Sequence, residues 1–110
     1  IERIVEVAKN HLRYRKALAG ILEVELVSKN KIKQINSEYR NLDYPTDVLS
    51  FPTAEFPSPK SESFANLYGT IFLSCDIIKS NAVRDKKSFQ EEFDFILCHG
   101  IDHLLGIHHE

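Results

Sequence analysis

Residues 88–110 read SFQEEFDFILCHGIDHLLGIHHE, and this stretch organises the rest of the chain. Ser88 with Glu91 at the third following position is a capping box, the signature of a helix start. Phe89, Phe93, Ile96, Leu97, Gly100 and Leu104 then recur at helical spacing and form the stripe that faces a core. Gly106 is where the helix can stop, because glycine accepts a left-handed conformation. His99 and His103 are four residues apart, so they project from one face, one turn above the other, at the edge of that stripe. Beyond Gly106 the reversed chain can bring His108 or His109 back toward the pair. Three imidazoles on one point suit a divalent zinc ion with an open fourth position, the layout of a catalytic rather than a structural site. The pattern points to a metal-dependent hydrolase.

Simpler accounts cover less of this stretch. A histidine pair at helical spacing is by itself ordinary surface or core furniture. An expression-tag remnant would account for His108-His109, but not for His99, His103 or Gly106. Cys98 lies beside His99 in sequence but about 100° away around the helix, and is read as a buried side chain rather than a ligand.

A chain of 110 residues is read as one domain, 1–110, with one packed core. It opens at Ile1 and stops one residue past His109, so both ends are read as open to trimming. A hydrophobic content of 43% with 27% charged residues excludes a disordered or membrane-embedded class. No apolar run is long enough to span a bilayer, and the first residues lack a signal-peptide pattern. Two isolated cysteines without a CxxC spacing suit a reducing cytosol. The net charge of −2 hides an asymmetry: residues 1–42 hold nine Lys/Arg against five Asp/Glu, residues 43–110 five against eleven. The basic run His11, Arg13, Arg15, Lys16 is read as a solvated helix face, which makes any nucleic-acid contact local.

Working outward, residues 1–19 show an amphipathic helix with Ile1, Ile4, Val5, Ala8 and Leu12 on one stripe and Gly20 as its stop. ILEVELV at 21–27 alternates as a half-buried strand. Ser28 caps a second helix carrying Ile32, Ile35 and Tyr39. Pro45 forbids a helix through NLDYPTD, and VLSF at 48–51 is a short strand closed by Pro52. Residues 53–67, with Pro57 and Pro59, read as a loop. GTIFLS at 69–74 is a buried-type strand, and Asp76 to Val83 a short helix. The expected fold is α+β, a mixed α/β sandwich. A small mixed sheet packs with several helices, and the metal site lies on the long C-terminal helix and the turn after it. Strand order is not legible from pattern.

Two families share the histidine spacing. Metzincin proteases carry H-E-x-x-H-x-x-G-x-x-H, and His99, His103, Gly106 and His109 match its histidines and glycine. Gly100 stands where those proteases have the glutamate that serves as general base, so peptide hydrolysis lacks its proton acceptor. The second resemblance is closer. HGIDHLLGIHH resembles the H-G-x-x-H-L-x-G-x-x-H signature of the YbeY family of bacterial ribosomal RNA maturation endoribonucleases. NSEYRNLDYPTDVLSFP resembles that family's N-x-x-Y-R-x-x-x-x-P-T-x-V-L-S-F-P block, and YGTIFLSCDII sits where the family has a strand beginning Gly-Asp-Ile. Three departures stand out: Ile107-His108 replace Tyr-Asp, Thr70 replaces an aspartate, and Asp102 occupies a commonly apolar position.

The resemblance implies a single-strand-specific, metal-dependent endoribonuclease of ribosomal RNA maturation, at the small-subunit 3′ end, and of ribosome quality control. It implies a cytoplasmic protein with one zinc ion, ribosomal RNA, ribosomes and assembly proteins as partners, and neither DNA nor membrane. It carries over His99, His103 and His109 as metal ligands, which selects His109 over His108, and Arg40 as the catalytic or phosphate-clamping arginine. Zinc can acidify water and polarise a phosphoryl oxygen, while a guanidinium offers a planar, permanently charged clamp. Thr46, Ser50 and strand 48–51 would floor the cleft. Asp102, Asp47 and His108 are candidate bases on chemistry alone, and Tyr39, Tyr44 and Phe56 are aromatics available to stack on bases. The non-enzyme alternative is an RNA-binding or ribosome-assembly module with structural zinc, against which the open fourth position argues.

Overall fold

A computed structural model describes residues 2–17, 20–53 and 67–107. Among them, in chain order, are α1 (Glu2–Tyr14), β1 (Ile21–Leu26), α2 (Lys29–Arg40), β2 (Val48–Pro52), β3 (Leu67–Leu73), α3 (Cys75–Arg84) and α4 (Phe89–Leu104). The strands form one mixed sheet in the order β1-β3-β2. β3 is central, parallel to β1 and antiparallel to β2, with Val24 opposite Ile71 and Ser50 opposite Ile71 on its other side. The fold is α+β, as the sequence indicates.

Side-chain alternation along β3 explains its apolar run. Ile71 and Leu73 join Ala8, Ile78, Phe93, Ile96, Leu97 and Ile101 in a core under α1, α3 and α4. Phe72 points the other way, into a smaller core with Ile32 and Ile35 of α2 and Leu49 and Phe51 of β2. A central strand covered on both faces needs apolar residues at successive positions rather than at alternate ones. Gly69 is required at its start. An added Cβ there would stand 2.3 Å from the Phe51 carbonyl oxygen.

Helix ends are the main departures from the sequence reading. α1 stops at Tyr14, short of Gly20, and Lys16 takes the left-handed conformation with φ 55°. The amides of Lys16 and Ala17 donate back to the carbonyls of Arg13 and Leu12, both at 3.0 Å. This is the Schellman closure that glycine usually makes. Lys86, φ 56°, ends α3 in the same way, its amide and that of Lys87 reaching Val83 and Ala82. Phe89, assigned above to the core stripe, is exposed. It is the first residue of α4, and its ring lies against Phe93 with centroids 5.7 Å apart rather than under the sheet. Val5, Leu26 and Tyr39 are likewise exposed. β2 includes Pro52, which fits because β2 is an edge strand. Ile1, Phe56 and most of the expected loop, including Pro57 and Pro59, lie outside the described residues.

Candidate active site

α4 is built to hold its C-terminal half rigidly against the sheet. The Ser88 hydroxyl accepts from the Glu91 amide at 3.1 Å and the Glu91 carboxylate accepts from the Ser88 amide at 3.3 Å, completing the capping box. Gly100 lets the helix backbone approach β2 and β3 closely. A Cβ there would stand 3.3 Å from Ile71 Cγ2 and 3.4 Å from Val48 Cγ2. A glutamate at position 100 would therefore enter the core rather than a water-filled cleft. At the other end Gly106, φ 80°, reverses the chain: its amide reaches the His103 carbonyl at 3.1 Å and that of Ile107 reaches Asp102 at 2.8 Å. Both bonds of the Schellman motif are present.

His99 and His103 lie on one face of α4 with ring centroids 4.5 Å apart. His99 is half-buried and His103 exposed. Two imidazoles one turn apart at a cleft suit a borderline-soft divalent ion such as zinc. His109, His108 and Glu110 lie outside the described residues, and no group of three potential ligands forms among those described. Cys98 is half-buried on another side of the helix rather than fully buried, and burial pushes its thiol pKa up. A thiol so raised is a poorer metal ligand, because the thiolate is the binding form.

The histidine pair and Arg40 line one cleft of about 480 Å³. Arg40 is the last residue of α2. Its Nη2 donates to the Ser50 carbonyl at 3.1 Å, and its guanidinium carbon stands 4.5 Å from the Phe51 ring centroid. The arginine is thus fixed over the β2 edge. Thr46, Asp47 and Ser50 line the same cleft, as does the exposed Tyr44. Tyr39 instead meets Phe51 edge-on at 5.6 Å.

Asn36, to which sequence pattern alone gives no role, organises the turn behind Arg40. Asn36 is 2% exposed and accepts, through its carbonyl, the amides of Asn41 and Leu42, while its side-chain amide donates to the Tyr44 carbonyl at 2.9 Å. It ties the turn after Arg40 to α2. A polar side chain beside Ile35 in a buried stripe was the available signal.

Asp102 has a different role from the proton acceptor considered above. Both its oxygens are taken by the end of α1 and the turn after it: His11 Nε2 lies 2.6 Å from Oδ1, while Arg15 Nε and Nη2 donate at 2.9 and 2.8 Å. Asp102 is 3% exposed and does not line the Arg40 cleft. The hydrogen bond to Asp102 raises the already high pKa of the Arg15 guanidinium. His11 and Arg15 are therefore half-buried partners of α4 rather than a solvated face. Thr70, another of the three departures, is also used: its hydroxyl donates to Glu23 Oε1 at 3.0 Å across the β1–β3 pair.

Comparison with known proteins bears on this geometry. The family model described as Endoribonuclease YbeY matches residues 1–110. Endoribonuclease YbeY of Malacoplasma penetrans is 43% identical over 90 residues, covering 82% of this chain and 57% of that protein. Its namesake in Aliarcobacter butzleri is 41% identical over 93 residues, covering 81% and 60%. The solution structure of TM1509 from Thermotoga maritima superposes with a TM-score of 0.65 at 31% identity, covering 99% of this chain and 66% of that one. The chain thus spans about three fifths of the length of these curated relatives. With the family model matched from residue 1 to residue 110, this chain belongs to the YbeY family.

Proposed function

We propose that residues 1–110 act as one domain that cleaves single-stranded RNA hydrolytically, in the maturation of the small-subunit ribosomal RNA 3′ end and in ribosome quality control. The observation that carries this reading is one cleft lined by Arg40, His99 and His103 together. His99 and His103 of this cleft, together with His109, would hold one divalent ion, zinc by the chemistry of the donors. When bound, that ion supplies Lewis acidity toward a phosphoryl oxygen and toward water.

The chain's own residues do the rest. Arg40, braced by Ser50 and Phe51, attracts the scissile phosphate and orients it with a planar fork that a lysine cannot reproduce. Asp47 is the carboxylate available in the cleft to hold a proton near that phosphate, with Thr46 Oγ1 donating to its Oδ1 at 3.3 Å. Gly100 keeps this machinery apart from protease chemistry, because it leaves no carboxylate at the second position of the motif.

The names of the relatives support the nuclease class, and no described helix is long and apolar enough to cross a membrane. We place its action in the cytoplasm, with the ribosome and ribosome-assembly proteins as partners. The test is incubation of the metal-loaded protein with single-stranded RNA carrying a ribosomal precursor sequence, beside a duplex of equal length. The reading expects cleavage of the single strand alone, abolished by a chelator and restored by zinc. No cleavage, with or without ribosomes, would favour a non-catalytic assembly module.

A further inference from the structure

The face of α4 that carries His103 and His99 continues one turn toward the helix start with Phe95, and the cleft extends to it. Phe95 is 60% exposed, an unusual cost for a phenyl ring beside a cleft. Its ring lies nearly parallel to that of His99, at 22° with centroids 6.2 Å apart, and Lys87 Nζ stands 5.3 Å from its centroid. Phe89 is exposed as well, but it rests on Phe93. The ring neighbours of Phe95 are instead a polar imidazole and a cation.

From this row we infer that Phe95 is a stacking platform for the unpaired base next to the scissile phosphate, and that Lys87 takes the phosphate beyond it. The inference rests on the nuclease reading for the position of the scissile phosphate. Every base has a π-face, so stacking on phenylalanine selects no sequence, and it requires a base that is not already stacked in a helix. Lys87 also approaches Glu92 Oε1, at 3.8 Å. An approaching phosphate therefore competes with one carboxylate for that ammonium. A row of cation, ring and histidine pair matches the alternation of phosphate and base along a single strand. It gives this site a physical reason to refuse duplex RNA.

The experiment measures equilibrium binding of a fluorescein-labelled, phosphorothioate-linked single-stranded oligoribonucleotide to the metal-loaded protein at several salt concentrations. Phe95→Leu keeps the apolar bulk and removes the π-face. It should weaken binding about tenfold without changing the salt slope, and Phe95→Tyr should stay close to the parent. Lys87→Gln should instead lower the salt slope by about one. An oligonucleotide with one abasic position at this subsite should lose affinity for the parent but not for Phe95→Leu. Metal content should be the same in all variants, which separates stacking from any disturbance of His99. Equal binding by Phe95→Leu and the parent, or an abasic penalty of the same size in both, would overturn the inference. If this binding pattern holds while cleavage is absent, the nuclease reading fails and the platform stands. Cleavage without any Phe95 effect sinks the platform alone, and a parent that binds no single strand sinks both.

Discussion

Arg15 and Asp102, 87 residues apart in sequence, are joined by two hydrogen bonds of 2.9 and 2.8 Å that pin α1 to the helix carrying the histidine pair. Asp102 sits between the two His-bearing turns of α4, and its own carbonyl closes the Gly106 reversal by accepting from Ile107. One residue thus couples three things: the packing of α1, the pitch of the histidine face and the direction in which the chain leaves it.

Removing Arg15 alone should cost more than removing Arg15 and Asp102 together. A buried carboxylate left with His11 alone keeps most of its desolvation penalty, whereas apolar replacement of Arg15 and Asp102 together loses less. Arg15→Leu alone should lower the melting temperature by more than about 4 °C, while Arg15→Leu with Asp102→Leu should recover most of the loss. Thermal unfolding of the single and double variants measures this. A double variant less stable than either single one would show that the pair stabilises the fold beyond its mutual satisfaction.

Gly100 supports a second prediction. Gly100→Glu rebuilds the metzincin motif letter for letter, yet its side chain would be forced against Ile71 and Val48. Burying an unpaired carboxylate in that space should destabilise the protein by at least about 3 kcal/mol. Denaturant unfolding should show it, and the variant should gain no metal-dependent peptidase activity. Proteolysis by a folded Gly100→Glu protein, lost on adding His99→Ala, would restore the protease reading.

The two cases show which parts of this molecule a sequence can display. Ser88, Glu91 and Gly106 make bonds within four residues of themselves, so the start and end of α4 were readable from spacing alone. His99 and His103 share a face by helical geometry. The Asp102 network was not readable, because its partners, His11 and Arg15, lie 91 and 87 residues away and a charged residue beside an apolar stripe looks solvated. The early end of α1 escaped for a related reason. Lysine pays a steric penalty in the left-handed region, so Lys16 gives no local signal, and Gly20 drew the boundary instead. Strand order depends on which faces the helices cover. That is a property of the whole chain.

Metal binding gives a third prediction. The protein should carry close to one equivalent of divalent metal, and His99→Ala or His103→Ala should lose it, because a structural fold with two imidazoles left binds zinc far more weakly. His109→Ala should behave likewise and His108→Ala should retain the metal. Metal analysis of the four purified variants decides among them. Full occupancy in His109→Ala with loss in His108→Ala would exchange the two neighbours and leave the pair on α4 untouched.

The fourth prediction concerns Arg40, which lines the same cleft as the histidine pair and is braced by the Ser50 carbonyl and the Phe51 ring. If its charge stabilises the phosphate as cleavage proceeds, Arg40→Ala should lower turnover by about 10²–10³, the usual loss for a preorganised charge-stabilising donor. Metal content should be unchanged, since the arginine lies on a different element from the ligands. Arg40→Lys should recover activity only in part. An ammonium keeps the charge but loses the fork, and it stacks less well on Phe51. Single-turnover cleavage of single-stranded RNA, measured beside metal analysis and thermal unfolding, isolates the effect. Arg40→Ala with parental turnover would take the arginine out of the mechanism and leave it as a clasp between α2 and β2.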